Sequence, residues 1–108
     1  MSAKIIPSSG NVFTDLGFHE EEAEHLRIRS MLMVAIRRII ESRDLTQAEA
    51  AKLFGVTQPR ISNLVRGRID LFSIDTLVDM LARAGVQVEL VLSSPRRQGS
   101  PRRKVGGG

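Results

Sequence analysis

The sequence predicts a mainly α-helical bundle with one terminal β-strand. Three observations carry this reading. Apolar residues recur every three or four positions through separate stretches between Glu20 and Gly85, the spacing of helices with one buried face. Residues that start and stop helices bound those stretches, with Thr46, Thr57 and Ser73 before them and Gly55, Gly67 and Gly85 after. Beyond Gly85 the period changes to alternation at Val86, Val88, Leu90 and Leu92, which belongs to a strand.

Met1 to Gly10, with Pro, Ser and Gly, reads as a flexible leader. Asn11 to Phe18 then sets Val12, Phe13 and Leu16 ahead of any helix signal and follows them with Phe18. Side chains of this size are expected to fold back on the core as a short strand or hook; the functional alternative is a docking surface for a partner protein. A long core-forming helix is expected over Glu20 to Ser42. Ile28, Leu32, Ala35, Ile36 and Ile39 form its inward stripe. Its acidic start and the Arg37, Arg38 and Arg43 finish suit the helix dipole. Met31 and Met33 are gap fillers or interface residues. His19 and His25 lie six positions apart, which is not helical spacing for a shared metal ion, so both read as surface residues.

Thr46 and Glu49 form a capping box, in which the hydroxyl and the carboxylate each satisfy an orphan amide, so a helix should begin near Gln47. Ala50, Ala51, Leu53 and Phe54 are its buried face, and Ala51 is small enough to let a second helix cross closely. Gly55 ends it, because the chain commonly needs a left-handed residue there. Thr57 can cap the next helix, and Pro59 falls in the first turn, where a missing amide hydrogen costs nothing. That helix should run from Gln58 to Arg66, with Ile61, Leu64 and Val65 inward and Gln58, Arg60, Ser62, Asn63 and Arg66 outward. The stretch is therefore a helix-turn-helix. Ser73 caps a further helix, with Asp75 in its first turn and a stripe of Ile74, Leu77, Val78, Leu81 and Ala82. The strand from Val86 to Leu92 cannot stand alone, since its backbone groups need partners. Two are available: the Asn11 arm of the same chain, or the same strand of a second copy across a twofold axis.

Gln47, Ala51, Gly55, Ile61 and Leu64 stand at the spacing of the Cro/repressor (XRE) family, and with the flanking helices residues 20 to 85 resemble it. The resemblance implies a lambda-repressor-like bundle that binds double-stranded DNA as a homodimer on an inverted-repeat operator. In that family the second helix of the motif lies in the major groove, and the first starts against a phosphate. Carried over residue by residue, Gln47 is the phosphate contact at a helix N-terminus, and Gln58, Arg60 and Asn63 are base readers. Pro59 departs from the polar residue many relatives carry and can touch a thymine methyl. Thr57 and Ser62 complete the surface, and Lys52, Arg66 and Arg68 hold phosphates. The Asn-Val-Phe-x-Asp-Leu-Gly-Phe arm, with a helix and then a strand behind the motif, resembles the small HigA-type antitoxin regulators. That likeness implies a protein that binds an RNA-cleaving toxin and represses its own operon.

Charge agrees locally. The chain carries +4 overall, yet residues 1–92 hold eleven cations against twelve anions. Between Ala50 and Ile69 stand Lys52, Arg60, Arg66 and Arg68 and no anion, whereas Glu20, Glu21, Glu22 and Glu24 cluster at the start of the long helix. A basic face over a recognition helix is the footprint of phosphate binding; the bland alternative is a solvated face. Arg96, Arg97, Arg102, Arg103 and Lys104 lie in a tail where Ser-Pro-Arg-Arg occurs at Ser94 and again at Ser100. It is either a DNA-contacting arm or a solubilising tail. Three segments are expected: an arm over 1–19, the DNA-binding domain over 20–92, and a disordered basic tail over 93–108.

With 42% hydrophobic residues in 108 there is material for one core. The absence of cysteine excludes disulfides and thiolate zinc sites, no apolar run is long enough to span a membrane, and the N-terminus has no signal pattern. A cytoplasmic protein is expected. The sequence has no phosphate-binding glycine loop, dinucleotide fingerprint, His-Glu-x-x-His or cysteine nucleophile, so no catalysis, cofactor or metal is expected.

Overall fold

A computed structural model describes residues 12–93 and the backbone of Ser2–Ala3. The rest of the expected leader, and the expected disordered tail apart from Ser93, lie outside the described residues.

After β1 (Ser2–Ala3), one helical turn, α1 (Val12–Asp15), leads through Gly17 into α2 (Glu20–Ser42). Three glutamates in the first turn of α2 offset the partial positive charge of its exposed amides. Asp44 turns the chain in a left-handed conformation, φ 53°, which Asp tolerates better than most residues. There follow α3 (Gln47–Phe54), α4 (Gln58–Val65), a 3-10 turn at Ile69–Leu71, α5 (Ile74–Arg83) and β2 (Gln87–Val88). The hydroxyls of Thr46, Thr57 and Ser73 accept amide hydrogens from Glu49, Arg60 and Thr76, so α3, α4 and α5 all start on a side-chain cap.

The core lies where α2, α3, α4 and α5 converge. Ile36, Ala50, Phe54, Ile61, Leu64 and Leu77 are wholly buried there, with Met33 and Ile40 of α2, Phe72, Met80, Leu81 and Val86 closing around them. Each large apolar side chain of this kind contributes roughly 1.5–3 kcal/mol by leaving water. The mainly α bundle expected from the sequence is the observed architecture.

Three local expectations are corrected. The arm is a helical turn, not a strand. Leu16 and Phe18 donate their amides back to the carbonyls of Val12 and Phe13 at 3.1 and 3.2 Å, so the backbone satisfies itself locally and needs no strand partner. The hook packs against α2, yet Val12, Leu16 and Phe18 remain 61, 69 and 39% exposed rather than joining the core. Phe13 alone is half-buried, edge-on to Phe18 with ring centroids 6.2 Å apart.

The strand is shorter than its pattern, and within the chain its partner is not the Asn11 arm. β2 pairs in parallel with the leader, Ser2 opposite Gln87 and Ala3 opposite Val88. Among the described residues no strand partner continues past Val88, and Leu90, Val91 and Leu92 stand 82, 60 and 89% exposed.

The third correction concerns the helix stripes. In α5 the buried residues are Leu77, Met80 and Leu81, while Val78, 37% exposed, and Ala82 face outward. One step along a helix rotates a side chain by roughly 100°, so Val78 falls off the face that Leu77 shares with Leu81. In α2, Met33 and Ile40 are more deeply buried than Ile28 and Leu32.

Candidate nucleic-acid interface

The helix-turn-helix is built by local chemistry before any tertiary contact. At the start of α3 both halves of the capping box are made: Glu49 N–H to Thr46 Oγ1 at 3.1 Å, and Thr46 N–H to Glu49 Oε1 at 2.8 Å. Gln47, the first residue of the helix, is exposed beside these amides. Gly55 closes α3 in the left-handed region, φ 70°, and Val56 N–H returns to Ala51 C=O at 3.0 Å. A β-carbon at Gly55 would also collide with the aliphatic part of Arg83 on α5. The backbone conformation favours glycine at the turn, and a larger residue would also have to displace the flexible end of Arg83.

α4 follows at once. The Thr57 hydroxyl accepts the Arg60 amide at 3.4 Å, and Pro59 sits where no helical amide is needed. Ile61 and Leu64 are fully buried and fix one face of the eight-residue helix in the core. The outer face carries Gln58 and Pro59, both exposed, then Arg60, Ser62 and Asn63, partly exposed, and the exposed Arg66.

Of the cations, Lys52 at the end of α3 and Arg66 at the end of α4 make no ion pair among the described residues. Arg68 lies 3.6 Å from Asp70, both well exposed, a pair of small net worth in water. Arg60 is different. Its Nη1 donates to the carbonyl of Leu71 at 3.2 Å, and its guanidinium carbon sits 4.7 Å from the centroid of the Phe72 ring. The chain has folded an aromatic platform beneath one residue of the outer face.

Sequence reasoning missed that platform and its support. Phe72 is 2% exposed, and the connection that carries it is also held by Arg29 of α2, whose Nη1 donates to the carbonyls of Ile69 and Phe72 at 3.3 and 3.4 Å. A signal for Arg29 existed. It is a cation inside the stripe Leu26, Met33, Ile36, Ile40, where an apolar residue belongs. For Phe72 there was none, since its partner lies eleven positions from Leu71 and is set only by tertiary structure.

Among the described residues no group of His, Asp and Glu is arranged to hold a metal ion, and no helix is long and apolar enough to cross a membrane.

A capped helix, a glycine turn and a second capped helix with a buried inner and a polar, cationic outer face define a helix-turn-helix DNA-binding domain. Residues 12–93 match the helix-turn-helix domain family. A solved structure assigned to the XRE family of transcriptional regulators is 30% identical, with a TM-score of 0.64 over 78% of this chain and 96% of that one. Among curated proteins, none matches the chain. The chain belongs to the XRE family of helix-turn-helix, DNA-binding transcriptional regulators.

Proposed function

We propose that the protein is a homodimeric, sequence-specific repressor that binds an inverted-repeat operator and controls its own promoter as the antitoxin of a toxin–antitoxin operon. The observation that carries the DNA reading is the two-sidedness of α4: Ile61 and Leu64 lock it in place while Gln58, Pro59, Arg60, Ser62 and Asn63 stay on the outer face. A helix held in this way fits a major groove about 12 Å wide, where such side chains reach base edges. Gln47 at the start of α3 meets a phosphate, and Lys52, Thr57, Arg66 and Arg68 add phosphate contacts around it.

Dimerisation is supported by the apolar run Leu90 to Leu92, exposed beyond the last paired residue of β2. Self-pairing of that run would set two α4 helices on one side of the molecule, for half-sites roughly 34–36 Å apart. The antitoxin role is supported by the likeness of the arm to HigA-type regulators and by the exposed hook. Val12, Leu16 and Phe18 stand beside an acidic helix start. A toxin that cleaves RNA engages a polyanion and therefore carries cationic surface, which this acidic, apolar corner complements. The same hook favours a second reading, in which the protein mainly sequesters a partner and DNA binding is secondary.

Fluorescence anisotropy tests the first reading, with the duplex immediately upstream of the gene beside a scrambled duplex at physiological salt. Binding in the nanomolar range to the first, and about a hundredfold or more weaker to the second, is expected of a specific regulator. Equal weak binding to both would remove sequence-specific autoregulation and leave the sequestering role.

A further inference from the structure

Arg29 stands where α2 should be apolar, between Leu26 and Met33 of the inward stripe. Its place is explained by what it holds. One terminal nitrogen donates to the carbonyls of Ile69 and Phe72, 40 and 43 positions further along the chain. The first belongs to the opening residue of the 3-10 turn, where it also accepts the Phe72 amide at 3.3 Å, and the second to the residue that caps the turn. Between them lies Leu71, whose carbonyl takes the hydrogen bond from Arg60, and next to it Phe72, whose ring supports the Arg60 guanidinium. Two arginines thus bond to one short connection, one from the core-forming helix and one from the second helix of the motif.

We propose that Arg29 is a positioning residue for DNA readout: by fixing the Ile69–Phe72 connection it fixes the guanidinium of Arg60, and with it the base preference at one step of each half-site. The inference rests on the proposed role of Arg60 as a base contact. An arginine is among the side chains with most rotamer freedom to lose, and a fork held before binding discriminates between bases better than one that must be ordered on arrival. Only one of the five guanidinium donors is used on Leu71. The others are left for the paired acceptors that a base edge presents in the major groove. Loss of the Arg29 grip leaves Arg60 charged and able to meet a phosphate, so the loss falls on preference and not on general affinity.

The test is selection of binding sites from a randomised duplex pool by the full-length protein, with anisotropy on a nonspecific duplex alongside. Arg60→Ala is expected to flatten preference at one base step per half-site by about tenfold. Arg29→Met, which keeps length and packing but removes the donors, is expected to flatten the same step by about threefold or more. Other steps and nonspecific binding should be unchanged, with no additional effect in the Arg60→Ala background. Arg29→Lys, whose ammonium can donate to both carbonyls, should restore the preference. If Arg60→Ala flattens its step and Arg29→Met leaves that step intact, or weakens every step equally, the positioning role is refuted while the base contact stands. If Arg60→Ala changes no step, the base contact itself fails and the inference falls with it. Should Arg29→Met not fold, Phe72→Leu, which keeps the position apolar and removes the ring, is expected to flatten the same step; an unchanged profile refutes the relay.

Discussion

Replacing Gly55 by alanine strikes the hinge of the DNA-binding motif. Gly55 has φ 70° and ψ 33°, and an L-residue in that region costs about 1–2 kcal/mol. A second cost comes from Arg83, whose Cδ and Nε occupy the space of the new β-carbon. Displacing that side chain to a poorer rotamer costs about 0.5–1.5 kcal/mol. Against these, alanine restricts the unfolded chain, which returns about 0.4–1 kcal/mol. The net destabilisation is about 1.5 kcal/mol, which in urea, with a slope of about 1–3 kcal/mol per molar, lowers the midpoint by roughly 0.5–1.5 M. Equilibrium unfolding followed by circular dichroism measures it. The two costs separate with further variants: Gly55→Asn relieves the backbone part because Asn enters the left-handed region, and Arg83→Ala in the alanine background relieves the collision. A Gly55→Ala protein as stable as the wild type would refute both parts of the reasoning, and an Arg83→Ala change without recovery would refute the second.

Removing the α3 cap with Thr46→Ala should cost about 1 kcal/mol and lower the thermal midpoint by roughly 4–8 °C in a domain of this size; an unchanged midpoint would mean that the capping box contributes nothing net. Lys52→Ala and Arg66→Ala should each weaken binding evenly across sequences and reduce the salt slope by about one unit, measured by anisotropy against salt concentration. A changed base preference in either would place that side chain at a base instead of a phosphate. Leu90→Asp puts a charge in the exposed apolar run, and sedimentation should then show self-association weakened about tenfold or more. Unchanged association would remove this segment from the proposed dimer interface.

The parts of the fold legible in the sequence are those decided within one helical turn. Thr46, Glu49, Gly55, Thr57, Ser73 and Gly85 act on amides or carbonyls at most a few positions away, so α3, α4 and α5 begin and end where these residues stand. What depended on distant partners was harder. The alternation from Val86 to Leu92 marks a chain able to form a strand, but among the described residues only Gln87–Val88 meets a partner edge. Val12, Leu16 and Phe18 look like core by composition, yet Leu16 and Phe18 lie beyond the four-residue α1 and all three stay exposed. At the candidate site the sequence named Arg60 from its place on α4, and nothing in the residues around it announced Phe72 as its platform. Arg29 was visible only as an anomaly, a charge in an apolar stripe whose meaning required the 3-10 turn to be seen beside it.

The division of α4 into an inner face that holds and an outer face that touches has a consequence for how such a regulator can acquire a new target. Gln58, Pro59 and Ser62 owe little to the core, so on the proposed docking, exchanging them changes what is recognised without threatening the fold, and a lineage can drift between operators through these positions. Arg60 is the exception. Its guanidinium is bonded to Leu71 and stacked on Phe72, so a new residue there must replace a structural contact as well as the proposed contact to DNA. Retargeting by exchange of the outer face should therefore proceed freely around Arg60 and stall at it, unless the residues beneath change in step.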